Sequence, residues 1–283
     1  MIFKMKSICF TVIFYLVALQ VFSQHSKNTL AFSVSGKERI SVIRSSVHLA
    51  DWHEKSFWPV YEKYLKEGAK VYSDTYRSLQ ELAETDKTTP EQEAFQNGWK
   101  FLTQQNNEFQ LKKKYYNEVG TALNGVVALQ FLQAEATMDM LESVQIYDNT
   151  RWKNFRFHPN ALPADQIRQA KHNTLAAALS LSPDKEEIFW TEYSKYEEEC
   201  DALLGDAYSI YSLFAGDASD FTPALAKRLG RDLLQVMERE IHLKERYFLE
   251  MNALVGSSLA ARFLAWEDYY SIVSKMYAWK DAP

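Results

Sequence analysis

Cysteine is almost absent from this chain of 283 residues, which has Cys9 and Cys200 and no other. Cys9 lies in an N-terminal segment that we expect to be removed, so no internal disulfide can form and apolar packing has to hold the fold together. Glycine (9 residues) and proline (7) are also scarce, and no long stretch alternates apolar and polar residues as a half-buried strand does. These shortages predict an all-α protein.

Signatures of common catalytic and cofactor sites are missing as well. The chain has no Gly-x-Ser-x-Gly elbow, no glycine-rich phosphate loop, no Glu-x-x-His pair and no Cys-x-x-Cys-His haem motif. Glu238 and His242 form a single i, i+4 pair, which is more typical of a helix surface than of a metal site. Acidic neighbours, Glu199 and Asp201 among them, disfavour a reactive thiolate at Cys200. We therefore expect no cofactor, no metal and no enzyme activity.

The longest apolar stretch lies at the N-terminus. Residues 1–23 have the pattern of a secretory signal peptide, with Lys4 and Lys6 before an apolar stretch over residues 8–21. Cleavage before Gln24 would release the mature chain. The alternative is an uncleaved membrane anchor, although this stretch is short for a spanning helix. We expect a periplasmic protein without stable membrane insertion, and the net charge of −5 argues against a nucleic-acid partner.

Three groups of residues recur 132 positions later, in the same order. Each group has helical spacing: Phe57-Trp58-x-x-Tyr61 returns as Phe189-Trp190-x-x-Tyr193, Leu111-Lys112-x-x-Tyr115 as Leu243-Lys244-x-x-Tyr247, and Ala128-x-x-Phe131-Leu132-x-x-Glu135 as Ala260-x-x-Phe263-Leu264-x-x-Glu267. No gap interrupts the offset, and self-similarity at one period is the mark of repeated structural units. The sequence therefore predicts a tandem duplication.

The predicted architecture is two tandem three-helix units with long helices, related by a pseudo-twofold axis. The units span residues 49–147 and 181–283, and a linker over residues 148–180 that contains a short helix joins them. Residues 24–48 are expected to be partly disordered. Long helices are predicted over residues 51–84, 90–119, 124–147, 183–215, 223–252 and 257–279.

Helix-capping patterns set these limits. Two capping boxes are predicted, at Asp51-x-x-Glu54 and at Thr89-Pro90-x-Gln92. Proline at the first helical position is predicted twice in the second unit, in Ser182-Pro183 and Thr222-Pro223. Asn124-Gly125 and Gly256 mark the second turn of each unit.

Two glutamates are predicted to lie inside the bundle. Glu135 and Glu267 each follow a matched phenylalanine by four residues, on the face that packs inward. The hairpins supply each glutamate with candidate cations: Lys112 or Lys114 for Glu135, and Lys244 or Arg246 for Glu267. We expect these ion pairs to be structural and to fix helix register. Each glutamate should tolerate glutamine, because the cation would sit near the bundle end and reach water.

The aromatic residues fall into two groups. Those of the repeat are expected to form the core, with an aromatic ligand pocket as the alternative: Phe57, Trp58, Tyr61, Phe189, Trp190 and Tyr193. Those of the linker belong to an aromatic and basic run with Arg151, Trp152, Phe155, Arg156 and Phe157. This run is either a strap packed on the bundle or a contact surface for anionic lipid or a partner.

Two helix starts resemble those of a known family. Thr88-Thr89-Pro90-Glu91-Gln92 and Leu181-Ser182-Pro183-Asp184-Lys185 are similar to the Leu-Thr-Pro-x-Gln motif of the Spy/CpxP group of periplasmic helical proteins. The order of the repeated motifs also resembles that of small exported helical proteins of unknown function. The resemblance to the Spy/CpxP group implies an ATP-independent chaperone or envelope-stress modulator that acts as a dimer through a concave surface, without catalytic residues.

Three functional hypotheses follow. The first is an exported interaction module that engages an unfolded client or an envelope partner, as a monomer or weak homodimer. The second is a helical domain that has a structural role or binds a small apolar ligand in its aromatic seam. The third is an enzyme whose site the sequence does not reveal. An exposed apolar patch would favour the first, an enclosed cavity the second, and polar groups that converge in a cleft the third.

Overall fold

A computed structural model describes residues 36–47, 49–148, 150, 164–214 and 221–280. These residues form helices and turns, with no strand among them. They contain eight helices: α1 (Gly36–Ser46), α2 (Asp51–Glu84), α3 (Glu91–Ala122), α4 (Gly125–Asp148), α5 (Ala164–Leu179), α6 (Pro183–Phe214), α7 (Pro223–Val255) and α8 (Ser257–Lys280). No helix in these ranges is long and apolar enough to cross a bilayer. The all-α prediction is confirmed.

Helix α1 corrects the expectation that residues 24–48 are partly disordered, since residues 36–46 are helical. Its inward face carries Arg39, Ile43 and Val47, which are all buried. A spacing of four residues places these side chains in one stripe along the helix. Polar residues between them hide the stripe from inspection of the composition.

Polar side chains close the turns before α4 and α7. The Asn124 side chain accepts hydrogen bonds from the backbone N–H groups of Val126 at 2.9 Å and Val127 at 3.1 Å. Thr222 caps α7, since its hydroxyl accepts from the backbone N–H of Leu225 at 3.2 Å. The second of these contacts agrees with the cap-and-proline pattern in the sequence.

The capping boxes predicted for α2 and α3 are wrong. Ala50 and Pro90 occupy the two N-cap positions, and neither provides a side-chain hydrogen bond to its helix. Asp51 lies inside the first turn of α2, where its charge is favourable beside the positive end of the helix dipole. The Thr89 hydroxyl accepts instead from the backbone N–H of Asp86 at 3.0 Å, so it stabilises the loop rather than the helix.

One core draws on the whole bundle. Buried apolar side chains from all eight helices form a single large cluster. We name α1–α4 the first repeat and α5–α8 the second repeat. Helix α3 packs against α7 and α8, and α4 also packs against both. Each repeat therefore covers its apolar surface with helices of the other.

Two glycines let helices of the two repeats touch. A Cβ atom on Gly98 would lie 2.5 Å from the ring of Phe248, and a Cβ atom on Gly230 would lie 2.3 Å from the hydroxyl of Tyr116. Gly230 stands 132 residues after Gly98, and Phe248 stands 132 residues after Tyr116. The Tyr116 hydroxyl also donates to the carbonyl of Lys227 at 3.1 Å. Helices α3 and α7 thus exchange equivalent aromatic side chains at equivalent glycines.

We expect Gly98→Ala and Gly230→Ala each to lower the free energy of unfolding by about 1–3 kcal/mol, because the new methyl group overlaps an aromatic ring in packed surroundings. Gly205→Ala is the matched control. Nothing lies within 4 Å of its Cβ position, and alanine is favoured over glycine in a helix by about 1 kcal/mol. Urea unfolding measures all three variants. A Gly98→Ala protein as stable as Gly205→Ala would contradict the close approach of α3 and α7.

Candidate functional site

A tyrosine–glutamate contact occurs in each repeat. The Tyr61 hydroxyl donates to Glu135 at 2.8 Å, and the Tyr193 hydroxyl donates to Glu267 at 2.8 Å. Both glutamates face inward, and the exposed fraction of Glu135 is 0 %. Neighbouring rings also pair alike, with centroid distances of 5.2 Å for both Tyr64–Phe131 and Tyr196–Phe263. Each glutamate is therefore held in an aromatic cage that also donates hydrogen bonds.

The cation that meets Glu135 is Arg39 of α1. Its guanidinium contacts the Glu135 carboxylate and also donates to Asp139 at 3.1 Å and to Glu142 at 2.9 Å. A further hydrogen bond reaches the Tyr76 hydroxyl at 3.3 Å. Planar guanidinium groups suit such multiple contacts, because their five N–H donors form a fixed fork. One arginine thus serves three carboxylates.

The cation that meets Glu267 is Lys171 of α5. Its Nζ atom lies 3.5 Å from a Glu267 oxygen and 3.5 Å from a Glu197 oxygen. It also lies above the Tyr270 ring, 4.1 Å from the centroid. Lys171 stands 132 residues after Arg39. Helix α5 therefore supplies the second repeat with a buried cation, as α1 does for the first.

The cations predicted from the hairpins pair elsewhere, which corrects that prediction. Lys112 and Lys244 are buried, and each contacts two other carboxylates: Glu108 and Asp139 for Lys112, Glu240 and Asp268 for Lys244. The remaining two candidates form surface ion pairs, Lys114 with Glu67 and Arg246 with Glu199. Burial also removes the reason given for tolerance of glutamine, because the cations do not reach water.

Four buried cations thus share eight carboxylates. The cations are Arg39, Lys112, Lys171 and Lys244, and the carboxylates are Glu108, Glu135, Asp139, Glu142, Glu197, Glu240, Glu267 and Asp268. Burial raises the pKa of Glu108 and of Glu135, although Lys112 and Arg39 oppose the shift. Protons can therefore neutralise part of the excess negative charge.

Tyrosines and the cysteine of the site stay protonated. Burial raises the pKa of Tyr64 and Tyr193 well above the usual range, and Glu135 and Glu267 raise it further. Both phenols therefore act as neutral hydrogen-bond donors. Burial, with the charge of Glu267, also raises the pKa of the Cys200 thiol to about 12. This agrees with the sequence argument against a reactive cysteine, since the thiolate is the nucleophilic form.

A cavity of about 220 Å³ lies between the two repeats. Three lysines line it, Lys112, Lys171 and Lys244, together with six carboxylates, Glu108, Asp139, Asp201, Glu240, Glu267 and Asp268. Apolar side chains complete the walls, among them Phe101, Leu203, Leu233, Ile241 and Ile272. Asp201 and Leu204 also line the cavity and are exposed, Leu204 by 39 %. The cavity therefore opens to solvent beside α6.

The two repeats contribute unequally to this cavity. In the first repeat the Tyr72 hydroxyl contacts the Tyr64 hydroxyl, and Arg39 lies over the Tyr72 ring, 4.2 Å from the centroid. In the second repeat Leu204 stands at the position of Tyr72. Two more substitutions reduce side-chain size at equivalent positions, Lys171 for Arg39 and Ser271 for Asp139. All three smaller residues line the cavity, so space opens where the first repeat is filled.

The other site residues from the sequence analysis lie in two places. Phe57, Tyr61, Phe189 and Tyr193 are fully buried, and Trp58 and Trp190 pack against the same core while half-buried. The linker residues Arg151, Trp152, Phe155, Arg156 and Phe157 lie outside the described residues. Their contact role stays a prediction.

Sequence reasoning missed the cations of α1 and α5. A signal was present, because the 132-residue offset also relates Arg39 to Lys171 and Ile43 to Leu175. Ile43 and Leu175 are both buried, with exposed fractions of 0 %. The repeat therefore extends upstream of residue 49 into the segment that was set aside as partly disordered.

Comparison with other proteins gives no family. No protein-family model, curated protein or solved structure matches the chain. The resemblance to the Spy/CpxP group therefore depends on its helix-start motifs. Within the described residues, no three or more histidine, cysteine, aspartate or glutamate side chains are arranged to hold a metal ion. Functional proposals have to rest on the geometry of the cavity and its charges.

We expect Arg39→Met to lower the free energy of unfolding by about 3–5 kcal/mol, because it leaves the buried Glu135 without its cation. Glu135→Gln should cost only about 1 kcal/mol, since Arg39 keeps Asp139 and Glu142. Tolerance of glutamine is thus still expected, for a different reason. Urea unfolding measures both variants, with the exposed Arg77→Met as control. Equal losses for Arg39→Met and Glu135→Gln would contradict the role of Arg39 as a shared cation.

The raised pKa of Glu108 predicts a pH-dependent contribution to stability. A carboxyl group whose pKa is higher in the folded state stabilises the fold below its ordinary pKa of about 4.3, and this contribution is lost as the pH rises through the folded-state value. Wild type should therefore lose stability relative to Glu108→Gln between about pH 4.5 and 8.

Glu67→Gln is the control for this pH series. A hydrogen bond from Lys114 lowers the pKa of Glu67, so the sign is opposite: wild type should lose stability relative to this variant as the pH falls below about 4.3. Urea unfolding at a series of pH values measures both differences. A constant difference between wild type and Glu108→Gln would contradict the raised pKa.

Proposed function

We propose that this chain is a non-catalytic binding protein that holds a small amphipathic molecule in the cavity between its repeats. The cavity carries the proposal. Its volume of about 220 Å³ exceeds the roughly 150 Å³ that accepts benzene in an engineered protein core. Its walls combine apolar side chains with a small number of charged groups, and it lies between packed helices, as ligand sites commonly do.

The charged groups of the wall favour binding over catalysis. Lys112, Lys171 and Lys244 each contact two carboxylates, and these contacts favour the charged ammonium form. Carboxylates raise the pKa of Lys171, against the effect of burial. A charged lysine is neither a nucleophile nor a general base. Cys200 is protonated at neutral pH, as argued above.

We also propose that the chain is a tandem duplication of a four-helix unit, with a pseudo-twofold axis between the repeats. The reciprocal contacts of Gly98 with Phe248 and of Gly230 with Tyr116 support this. In a twofold interface, residue i of one copy contacts residue j of the other and the reverse contact also occurs. Joining two copies in one chain allows them to differ, so that one centre is filled and the other is open.

Exposed aromatic side chains support a second proposal, the exported chaperone-like interaction module that the Spy/CpxP resemblance implies. The exposed fraction is 68 % for Trp52 and 42 % for Trp99. Trp99 stacks on Phe95, and Phe95 stacks on Phe248, with centroid distances of 6.4 Å and 5.6 Å. An aromatic row on a periplasmic helical protein could hold apolar segments of a client.

Small-molecule binding is tested with Leu204→Tyr. This change restores the tyrosine of the first repeat and should fill the opening of the cavity. We expect wild type to bind a few members of a panel of neutral, cationic and anionic aromatic compounds with 1:1 stoichiometry in isothermal titration calorimetry. Leu204→Tyr should weaken every such complex about tenfold or more. Leu254→Tyr, at an exposed leucine away from the cavity, is the matched control and should change nothing.

The second proposal makes a different prediction. At a near-stoichiometric ratio and without ATP, the mature chain should slow the aggregation of an unfolded client, measured by light scattering. Trp99→Ser should reduce this protection, and replacement of all three linker aromatics by serine tests the contact surface of the linker: Trp152, Phe155 and Phe157. Protection that persists in both variants would contradict the proposal.

A further inference from the structure

The cavity wall carries twice as many carboxylates as lysines, six against three. We propose that its ligand is an organic cation, a protonated amine joined to an apolar group. This inference rests on the proposed small-molecule function and adds the chemical class of the ligand. It is argued below from charge, from the geometry around Lys171 and from the difference between the two repeats.

The charge balance favours a cation. Asp201 lies at the opening and pairs with Arg168 at 2.6 Å, which leaves five carboxylates and three lysines inside. A proton on Glu108 leaves four carboxylates against three lysines. Lys171 is also shared with Glu197, which does not line the cavity. A bound monocation would therefore offset negative charge that is costly to bury, while a bound anion would add to it.

The lysines do not make the cavity an anion site. The Nζ atom of Lys244 donates to Asp268 at 2.9 Å and lies 3.2 Å from Glu240. Lys112 lies 2.5 Å from Glu108 and also contacts Asp139. An anionic ligand would have to compete with two carboxylates for each of these ammonium groups. A cationic ligand gains contacts with the same carboxylates without breaking the existing pairs.

The surroundings of Lys171 have room and suitable surfaces for a second cation. Both of its carboxylate distances are 3.5 Å, longer than a charge-assisted hydrogen bond of about 2.7–2.9 Å. The Tyr270 ring that lies beneath its ammonium group also lines the cavity. Aromatic faces attract cations, more strongly where water is excluded. Glu267 and Tyr270 thus offer a carboxylate and a ring on the same wall.

The first repeat shows how a cation on an apolar stem fills an equivalent site. There the Arg39 guanidinium contacts Glu135 and lies over the Tyr72 ring. In the second repeat the shorter Lys171 and the smaller Leu204 leave part of this volume open. An amine ligand with an aromatic or aliphatic group would occupy that volume, with its ammonium group toward the carboxylates and its apolar group toward the leucine and isoleucine walls.

The test compares three probes of nearly equal shape by isothermal titration calorimetry with the mature chain at pH 7. These are 2-phenylethylammonium, 2-phenylethanol and phenylacetate. The cation should bind with a Kd at least about tenfold lower than that of the alcohol, and phenylacetate should be the weakest. Raising the salt concentration should weaken binding of the cation more than that of the alcohol.

Glu240→Gln removes one negative charge from the wall at a partly exposed position, so the protein should still fold. It should reduce the preference for the cation over the alcohol about threefold or more and leave the affinity for the alcohol unchanged. Glu238→Gln is the matched control, since Glu238 lies on the same helix, pairs with Lys113 at 3.0 Å and does not line the cavity. Circular dichroism confirms that each variant is helical.

Each outcome decides between the two levels of the proposal. Saturable binding of 2-phenylethanol or phenylacetate as tight as that of the cation would overturn the ligand class and leave a small-molecule site. Binding of none of the three probes, together with no effect of Leu204→Tyr on any compound of the wider panel, would overturn both. Preference for the cation that Glu240→Gln reduces and Glu238→Gln does not would support both.

Discussion

Burying a carboxylate in a helical bundle costs free energy unless a cation and hydrogen-bond donors meet it there, and Glu135 and Glu267 are both buried. Their cations come from the short helices α1 and α5, which are tied to the long helices through these charges. Tyr61 and Tyr193 donate a hydrogen bond to each carboxylate, and burial and nearby charge keep these phenols neutral. The packing of the short helices therefore depends on the buried ion pairs.

The same arrangement has two outcomes in one chain. Arg39 contacts three carboxylates and lies over Tyr72, so the first centre is filled by the protein's own side chains. Lys171 makes longer contacts beside an open cavity. If one copy maintains the fold, the other can lose bulk at a few positions without loss of the bundle. A duplicated scaffold thus offers a physical route to a binding site.

Helical periodicity and turn chemistry made much of the fold predictable. The seam aromatics, the Asn124-Gly125 turn and the Thr222-Pro223 start all lie where local rules place them, because these signals act within a few residues of chain. The inward position of Glu135 followed from the same periodicity. Capping was less predictable, since Thr89 stabilises its loop instead of its helix.

The candidate site was far less accessible from the sequence. Which cation meets Glu135 depends on tertiary packing, because Arg39 is 96 residues away and Lys112 reaches other carboxylates. The cavity arises from small differences in side-chain volume between equivalent positions, such as Leu204 and Tyr72, whose meaning appears only when both are placed in space. Extending the 132-residue comparison to Arg39 and Lys171 would have revealed the second cation, but not the cavity.

The most direct measurement is a crystal structure of the protein with 2-(4-bromophenyl)ethylammonium, in which anomalous scattering from bromine locates the ligand. The account predicts one strong bromine peak in the cavity beside Leu204 and Ile272, with the ammonium group toward Glu267 or Asp268. A bromine peak confined to the outer surface of the bundle, or an ammonium group that points away from these carboxylates, would contradict it.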